Sequence, residues 1–239
     1  MEAKKFMPAI IAVIAVLVLS TSSLAGTISQ TKTFTGTPSL NRVLTFDKFN
    51  DQAGSGTLTS IQVILTLDVN GGKLVLDNDG ELVATGTFGL GGKCDISSSQ
   101  VSLLTDSNQP LFGMAEAGHS GSFSLAANEG DSRTDLSPDG LDAYVYEGAL
   151  NSDIKSGYIG NSHWTDFIGA NTYDINLRAI QWSEVSTVNG VSYMVLPVET
   201  SGNVTVIYKT TDVPEPSSIA GLLTALAGMG FAGLRRRIK

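Results

Sequence analysis

The side chains best suited to chemistry in this sequence are two histidines, His119 and His163, a single cysteine, Cys94, and two acidic turns. A Ser-His-Asp hydrolase needs a nucleophile on a sharp turn, a base within hydrogen-bond reach and an orienting carboxylate. His119 lies in Gly118-His119-Ser120-Gly121-Ser122, which lacks the G-x-S-x-G spacing and follows no strand-like run. His163 stands far from it, neither belongs to an H-E-x-x-H motif, and one cysteine adds too little for a zinc set. The residues therefore support no catalytic assignment, no metal assignment and no cofactor, and the expectation is a protein that is not an enzyme.

Asp77-Asn78-Asp79-Gly80-Glu81 and Asp135-Leu136-Ser137-Pro138-Asp139-Gly140-Leu141-Asp142 could offer oxygen ligands to calcium. An EF-hand loop fails, because Gly80 at the sixth position puts Val75 at the first and Gly86 at the twelfth. Asp, Asn and Gly also favour turns for backbone reasons alone, which is the plainer reading. Paired carboxylates for glycoside hydrolysis are open in the same weak sense, since 21 acidic residues between the two ends make their presence uninformative. Trp164, Trp182, Tyr144, Tyr146 and Tyr158 could form a sugar-stacking platform, although aromatics in a sheet protein are more often core or cross-strand partners.

The elements that must hold these residues read as strands. Ile61, Val63, Leu65, Leu67 and Val69 alternate with Gln62, Thr66 and Asp68. Ile175 and Leu177 alternate with Asp174, Asn176 and Arg178, and Val204, Val206 and Tyr208 with Asn203, Thr205 and Lys209. Period two with one apolar face predicts half-buried strands. Leu141, Ala143 and Val145, alternating with Asp142, Tyr144 and Tyr146, predict a strand at the end of the loop-rich stretch 110–153. Turn signals stand at Asn70-Gly71-Gly72, Asp79-Gly80, Gly91-Gly92, Pro138-Asp139-Gly140 and Asn189-Gly190, of which Asn70-Gly71 and Asn189-Gly190 suit hairpins. No ordinary amphipathic helix interrupts them. The expected fold is all-β, a single antiparallel β-sandwich over 26–212 with a jelly-roll as one form of it.

Between Gly26 and Val213 the chain carries 9 Lys/Arg against 21 Asp/Glu, a net charge of −12. That argues against nucleic acid as a partner. With Cys94 alone no intramolecular disulfide can form, and a buried, inert thiol is the expectation.

The two ends have a different character. Lys4 and Lys5, the apolar run Met7–Leu19 and Ser23-Leu24-Ala25 before Gly26 have the order of a secretory signal peptide over 1–25, cleaved between Ala25 and Gly26 after passage through the Sec export machinery. At the other end Val213, Pro214, Glu215 and Pro216 precede Ile219–Leu234, which holds no charge, and then Arg235, Arg236, Arg237, Ile238 and Lys239. The prolines keep the chain extended. Sixteen residues rise about 24 Å as a helix, short of the ~30 Å hydrocarbon core. This single hydrophobic helix would anchor transiently in the membrane, with the basic cluster on the cytoplasmic side. Ala220, Thr224, Gly228 and Ala232 would form one small-residue stripe along it.

The tripartite end over 213–239 resembles the PEP-CTERM sorting signal, which implies processing by an exosortase. Phe46-Asp47, Gly56-Thr57-Leu58 leading into Ile61–Leu67, Asp142 and Tyr144 before Glu147-Gly148, and Gly202–Tyr208 are similar to the choice-of-anchor E domain family. Lys48–Gln52 expands the segment after Phe46-Asp47 relative to that pattern. The resemblance implies an exported cell-envelope, cell-surface or extracellular-matrix protein of bacteria that make exopolysaccharide, and no established activity. Three classes follow: a non-catalytic envelope or matrix protein, a carbohydrate- or calcium-dependent binding module, and a secreted hydrolase.

Overall fold

The computed structural model describes residues 26–211 except 38, 51–55, 129, 131–135, 137–139, 149–150 and 188–189. Ala25, Val213, Pro214, Glu215, Pro216, Arg235, Arg236 and Arg237, with the signal peptide and the 219–234 run, lie outside the described residues. So do Asp135, Pro138, Asp139 and Asn189.

The described chain is nearly all β. Its strands are β1 (Gly26–Gly36), β2 (Leu40–Asp47), β3 (Leu58–Asn78), β4 (Ala84–Ser97), β5 (Ala115–Leu125), β6 (Ala143–Glu147), β7 (Asn151–Tyr158), β8 (Thr172–Thr187) and β9 (Val191–Thr210). A 3-10 helix, Asn161–Phe167, is the one helical element among the described residues. The strands form two antiparallel sheets packed as a sandwich. The first has the order β1-β9-β3-β6, with β7 also on β3, and the second β2-β8-β4-β5. The pairings nest: β4 lies on β5, β3 on β6 and β7, β2 on β8, and β1 on β9.

Period two places the core as the sequence predicts. Ile61, Val63, Leu65, Leu67 and Val69 of β3 are buried, as are Ile175 and Leu177 of β8 and Val204, Val206 and Tyr208 of β9. Between the sheets Phe46 stacks on Tyr173 at 5.8 Å and Phe167 meets Tyr173 edge-on at 5.2 Å. The Tyr173 and Tyr208 hydroxyls lie 3.0 Å apart, and Tyr208 donates to the Asp47 carbonyl at 3.2 Å. These buried polar tips thus keep partners.

Three turn expectations need correction. Asn70-Gly71-Gly72 is no hairpin, because β3 runs through it. Its first half pairs with β7 up to Val69↔Asn151 and its second with β6 from Lys73↔Glu147. Both pairings keep one register, and between them Gly71 and Gly72 take positive φ, 67° and 80°, which glycine adopts without steric cost. Gly91-Gly92 likewise sits inside β4, where a Cβ on Gly92 would press on Thr200 and Val69 at 2.9 and 3.0 Å. Gly190 joins strands of different sheets, β8 and β9. The strand expected near Leu141 is present as β6, but Leu141 is 76% exposed while Asp142 is 2% exposed.

The contacts divide the chain into two compact units. The larger comprises Ile28–Asn50 and Ser60–Tyr208 and holds both sheets' cores. In the smaller, the described residues are Gly26, Thr27, Gly56–Thr59 and Lys209–Thr211. There Thr211 N–H donates to the Thr57 carbonyl at 2.8 Å, Thr59 Oγ1 to the Lys209 carbonyl at 3.0 Å, and Thr210 Oγ1 to the Gly26 carbonyl at 3.4 Å.

Candidate functional site

The strongest candidate surface is the outer face of the second sheet, around Trp182. Register places Trp182 of β8 opposite Gly91 of β4, and Gly91 opposite Gly118 of β5. A Cβ on Gly91 would stand 2.7 Å from the indole Nε1, and one on Gly118 3.0 Å from Cζ2. One on Gly89, two residues along the same face, would collide with the far edge of the ring. Different glycines meet different ring atoms, so the indole lies flat across β4 toward β5. Glycine inside a strand marks such a close approach.

Charged rungs continue this face. Lys93 and Glu116 are directly opposed and pair at 3.1 Å, and the Lys93 ammonium stands 5.4 Å from the Trp182 ring centroid. Arg178 grips Asp95 through two hydrogen bonds of 3.2 and 2.6 Å, which holds the guanidinium above its ordinary range. Beside this pair lies a shallow depression of about 510 Å³, lined among others by Asn41, Val43, Asp95, Asn176 and Arg178. A flat indole beside hydrogen-bonding side chains can stack on the apolar face of a sugar ring.

The five aromatics that could have formed one platform occupy different places. Tyr144 and Tyr146 pack with Phe88 at 5.4 and 5.1 Å. Trp164, next to the histidine of the 3-10 helix, donates Nε1–H to the Ile159 carbonyl at 3.0 Å and so serves the fold. Tyr158 is exposed at the end of β7. Only Trp182 lies on the glycine floor.

His119 stacks on Tyr146 at 4.8 Å with the rings 10° apart, while Ser120 lies on the opposite side of β5, its Oγ 3.3 Å from where a Gly89 Cβ would be. Strand alternation separates adjacent side chains, so His119 and Ser120 do not form a nucleophile–base pair. His163 Nε2 hydrogen-bonds Asn108 Oδ1 at 3.0 Å, away from His119. Cys94 is fully buried, and burial first, then the Asp95 carboxylate, pushes its thiol up to about 12.

The two acidic segments do meet, which their sequence separation conceals. Asp77 pairs in register with Ala143, and Asn78 N–H donates to the Asp142 carbonyl at 3.0 Å. Their polar atoms serve the fold: Asn78 Nδ2 donates to the Leu82 and Ala126 carbonyls, its Oδ1 accepts from Gly80 N–H, and Ser192 Oγ donates to Asp79. Among the described residues no group of three His, Cys, Asp or Glu side chains could hold a metal ion.

The chain matches no protein-family model and no curated protein. Its similarities to solved structures are shallow. It is similar to the STIV MCP at 12% identity and a TM-score of 0.28, over 83% of this chain and 51% of that one. It is similar to the infectious bursal disease virus Gt strain structure at 12% identity and TM-score 0.13, over 90% and 51%. Against Desmodium yellow mottle tymovirus the identity is 6% and the TM-score 0.14, over 82% and 93%. The chain thus spans about half the length of the first two. Similarities of this depth bring nothing to this chain's function.

Proposed function

We propose that the chain is an exported, non-catalytic protein of the cell envelope, cell surface or extracellular matrix, held transiently at the membrane by a PEP-CTERM-like end that an exosortase-type enzyme processes. The observation that carries this reading is the order of Val213-Pro214-Glu215-Pro216, the uncharged run 219–234 and the basic Arg235–Lys239, with a signal-peptide pattern at the other end; the Thr210–Gly26 hydrogen bond is compatible with it. Gly26, the expected first residue of the processed chain, thus lies beside Thr210, three residues before Val213. The nested pairing supports the finer fold reading: with β6 and β7 taken as one interrupted strand on β3, the two sheet orders are those of a jelly-roll. Replacing Pro214 and Pro216 with alanine tests the sorting step in a host with the matching enzyme. Unprocessed protein should accumulate in the membrane. Normal processing of that variant would defeat the proposal.

A second reading is favoured by the Trp182 floor: the outer face binds a polysaccharide, with exopolysaccharide as the natural candidate. The ion pairs there leave few unpaired charges, which suits a neutral chain better than a polyanion. Trp182→Ala should abolish retention on a glycan array without unfolding the protein. Equal retention by both proteins would remove this reading and leave the sorting proposal intact.

A further inference from the structure

Asn70 precedes Gly71 at the irregular point of β3, and both are exposed. The Gly71 N–H donates to the side-chain oxygen of Asn70 at 2.8 Å. That amide nitrogen is therefore close to the Asn70 side-chain carbonyl carbon and is held by its own neighbour. Apart from Gly71 and its two chain neighbours, no atom stands within 4 Å of where a Gly71 Cβ would be, and φ there is 67°. Glycine has no side chain to obstruct approach and tolerates the rotation a ring closure needs.

We propose that Asn70 is a site of spontaneous deamidation in the folded protein. After loss of its proton to solvent base, the Gly71 nitrogen attacks Cγ of Asn70. A C–N bond forms, the Cγ–Nδ2 bond breaks, and the amide leaves as ammonia with the proton returned to it. The five-membered succinimide then takes up water at one of its two carbonyl carbons. Opening at Cγ gives aspartate; opening at the main-chain carbon gives isoaspartate, whose backbone runs through the former side chain. Either product adds one negative charge. The site lies between the paired rungs Val69↔Asn151 and Lys73↔Glu147, so the additional backbone atom falls where the pairing of β3 passes from β7 to β6.

Asn151 is the internal comparison. Ser152 N–H also donates to its own neighbour's side-chain oxygen, at 2.9 Å. There the leaving nitrogen is engaged with the Gly118 carbonyl and the following residue carries a Cβ. Asn151 should persist where Asn70 converts.

The experiment is a time course of the purified full chain in mildly alkaline buffer, folded and in denaturant, read by peptide mapping and by enzymatic isoaspartate assay. Asn189, also before a glycine, falls in a different peptide and is scored separately. The expected result is loss of Asn70 in the folded protein at a rate comparable to the unfolded one, with isoaspartate at position 70 and Asn151 intact. Asn70→Gln should abolish the mass change in that peptide. Asn70 remaining amidated in the folded chain after the unfolded chain has converted would overturn the proposal. So would the same mass change in the Asn70→Gln peptide, since the reacting residue would then be another.

Discussion

At the scale of single residues, Trp182 depends on what its neighbours lack. Gly89→Ala adds a Cβ that meets the ring of Trp182 and no nearer backbone. It should displace the indole, cost about 1–3 kcal/mol as overpacking, and shift tryptophan emission to the red; unchanged urea unfolding and emission would contradict the flat placement. The buried hydroxyl pair gives a second test. Burial raises Tyr173 far above its ordinary 10. Burial, opposed by the Tyr173 hydrogen bond and aided by Asp47, pushes Tyr208 up to about 12. These groups and the Cys94 thiol stay protonated in the folded chain after the unfolded chain has begun to lose their protons. Their contribution is whole below pH 9, the ordinary Cys94 value, and is lost as pH rises toward 12. Stability from urea titrations should therefore fall across that window, and less steeply in Cys94→Ala. Tyr208→Phe leaves the Asp47 carbonyl and the Tyr173 hydroxyl short of a partner and should cost about 1–3 kcal/mol at neutral pH. Trp182 was visible in the sequence as an aromatic, but its floor was not. Part of the signal was there in Gly91, which local reading assigns to a turn with Gly92 because glycine serves both uses.

At the scale of elements, β3 is central to the first sheet, with β9 on one side and β6 and β7 on the other. Leu65→Ala in its middle should cost about 2–5 kcal/mol by equilibrium unfolding. The edge of β5 has a different vulnerability. Its Glu116 N–H donates to Asp153 Oδ2 at 2.9 Å, and Asn151 donates its side-chain amide to the Gly118 carbonyl. Burial opposes ionisation of Asp153, but the Glu116 and Ile154 amides and the Lys155 ammonium outweigh it and hold the carboxyl below its ordinary value. This contribution is present above the ordinary carboxylate range and is lost as pH falls through the folded value. Asp153→Ala should cost about 1 kcal/mol and promote self-association through the uncovered edge, measurable by light scattering. The strands were legible because one face of each meets the core, which imposes period two on β3, β8 and β9. Their partners were not legible, because nested pairing joins residues as distant as Leu40 and Ala179 and nothing local records it. Asn70-Gly71 misled for a related reason: the positive φ that glycine supplies to a reversal also occurs within a continuing strand.

At the scale of the whole molecule, the segment between the two ends is acidic, has no disulfide to rely on, and is stabilised by sheet ladders and a packed interior. Circular dichroism of the processed protein should show β structure with little helix. Processing of the two ends is read out by mass spectrometry of the protein recovered from the cell surface or matrix of a host carrying the matching enzyme. The recovered chain should begin at Gly26 and lack Arg235–Lys239. Surface protein that still yields peptides from Arg235 onward, or that retains the residues before Gly26, would contradict this processing.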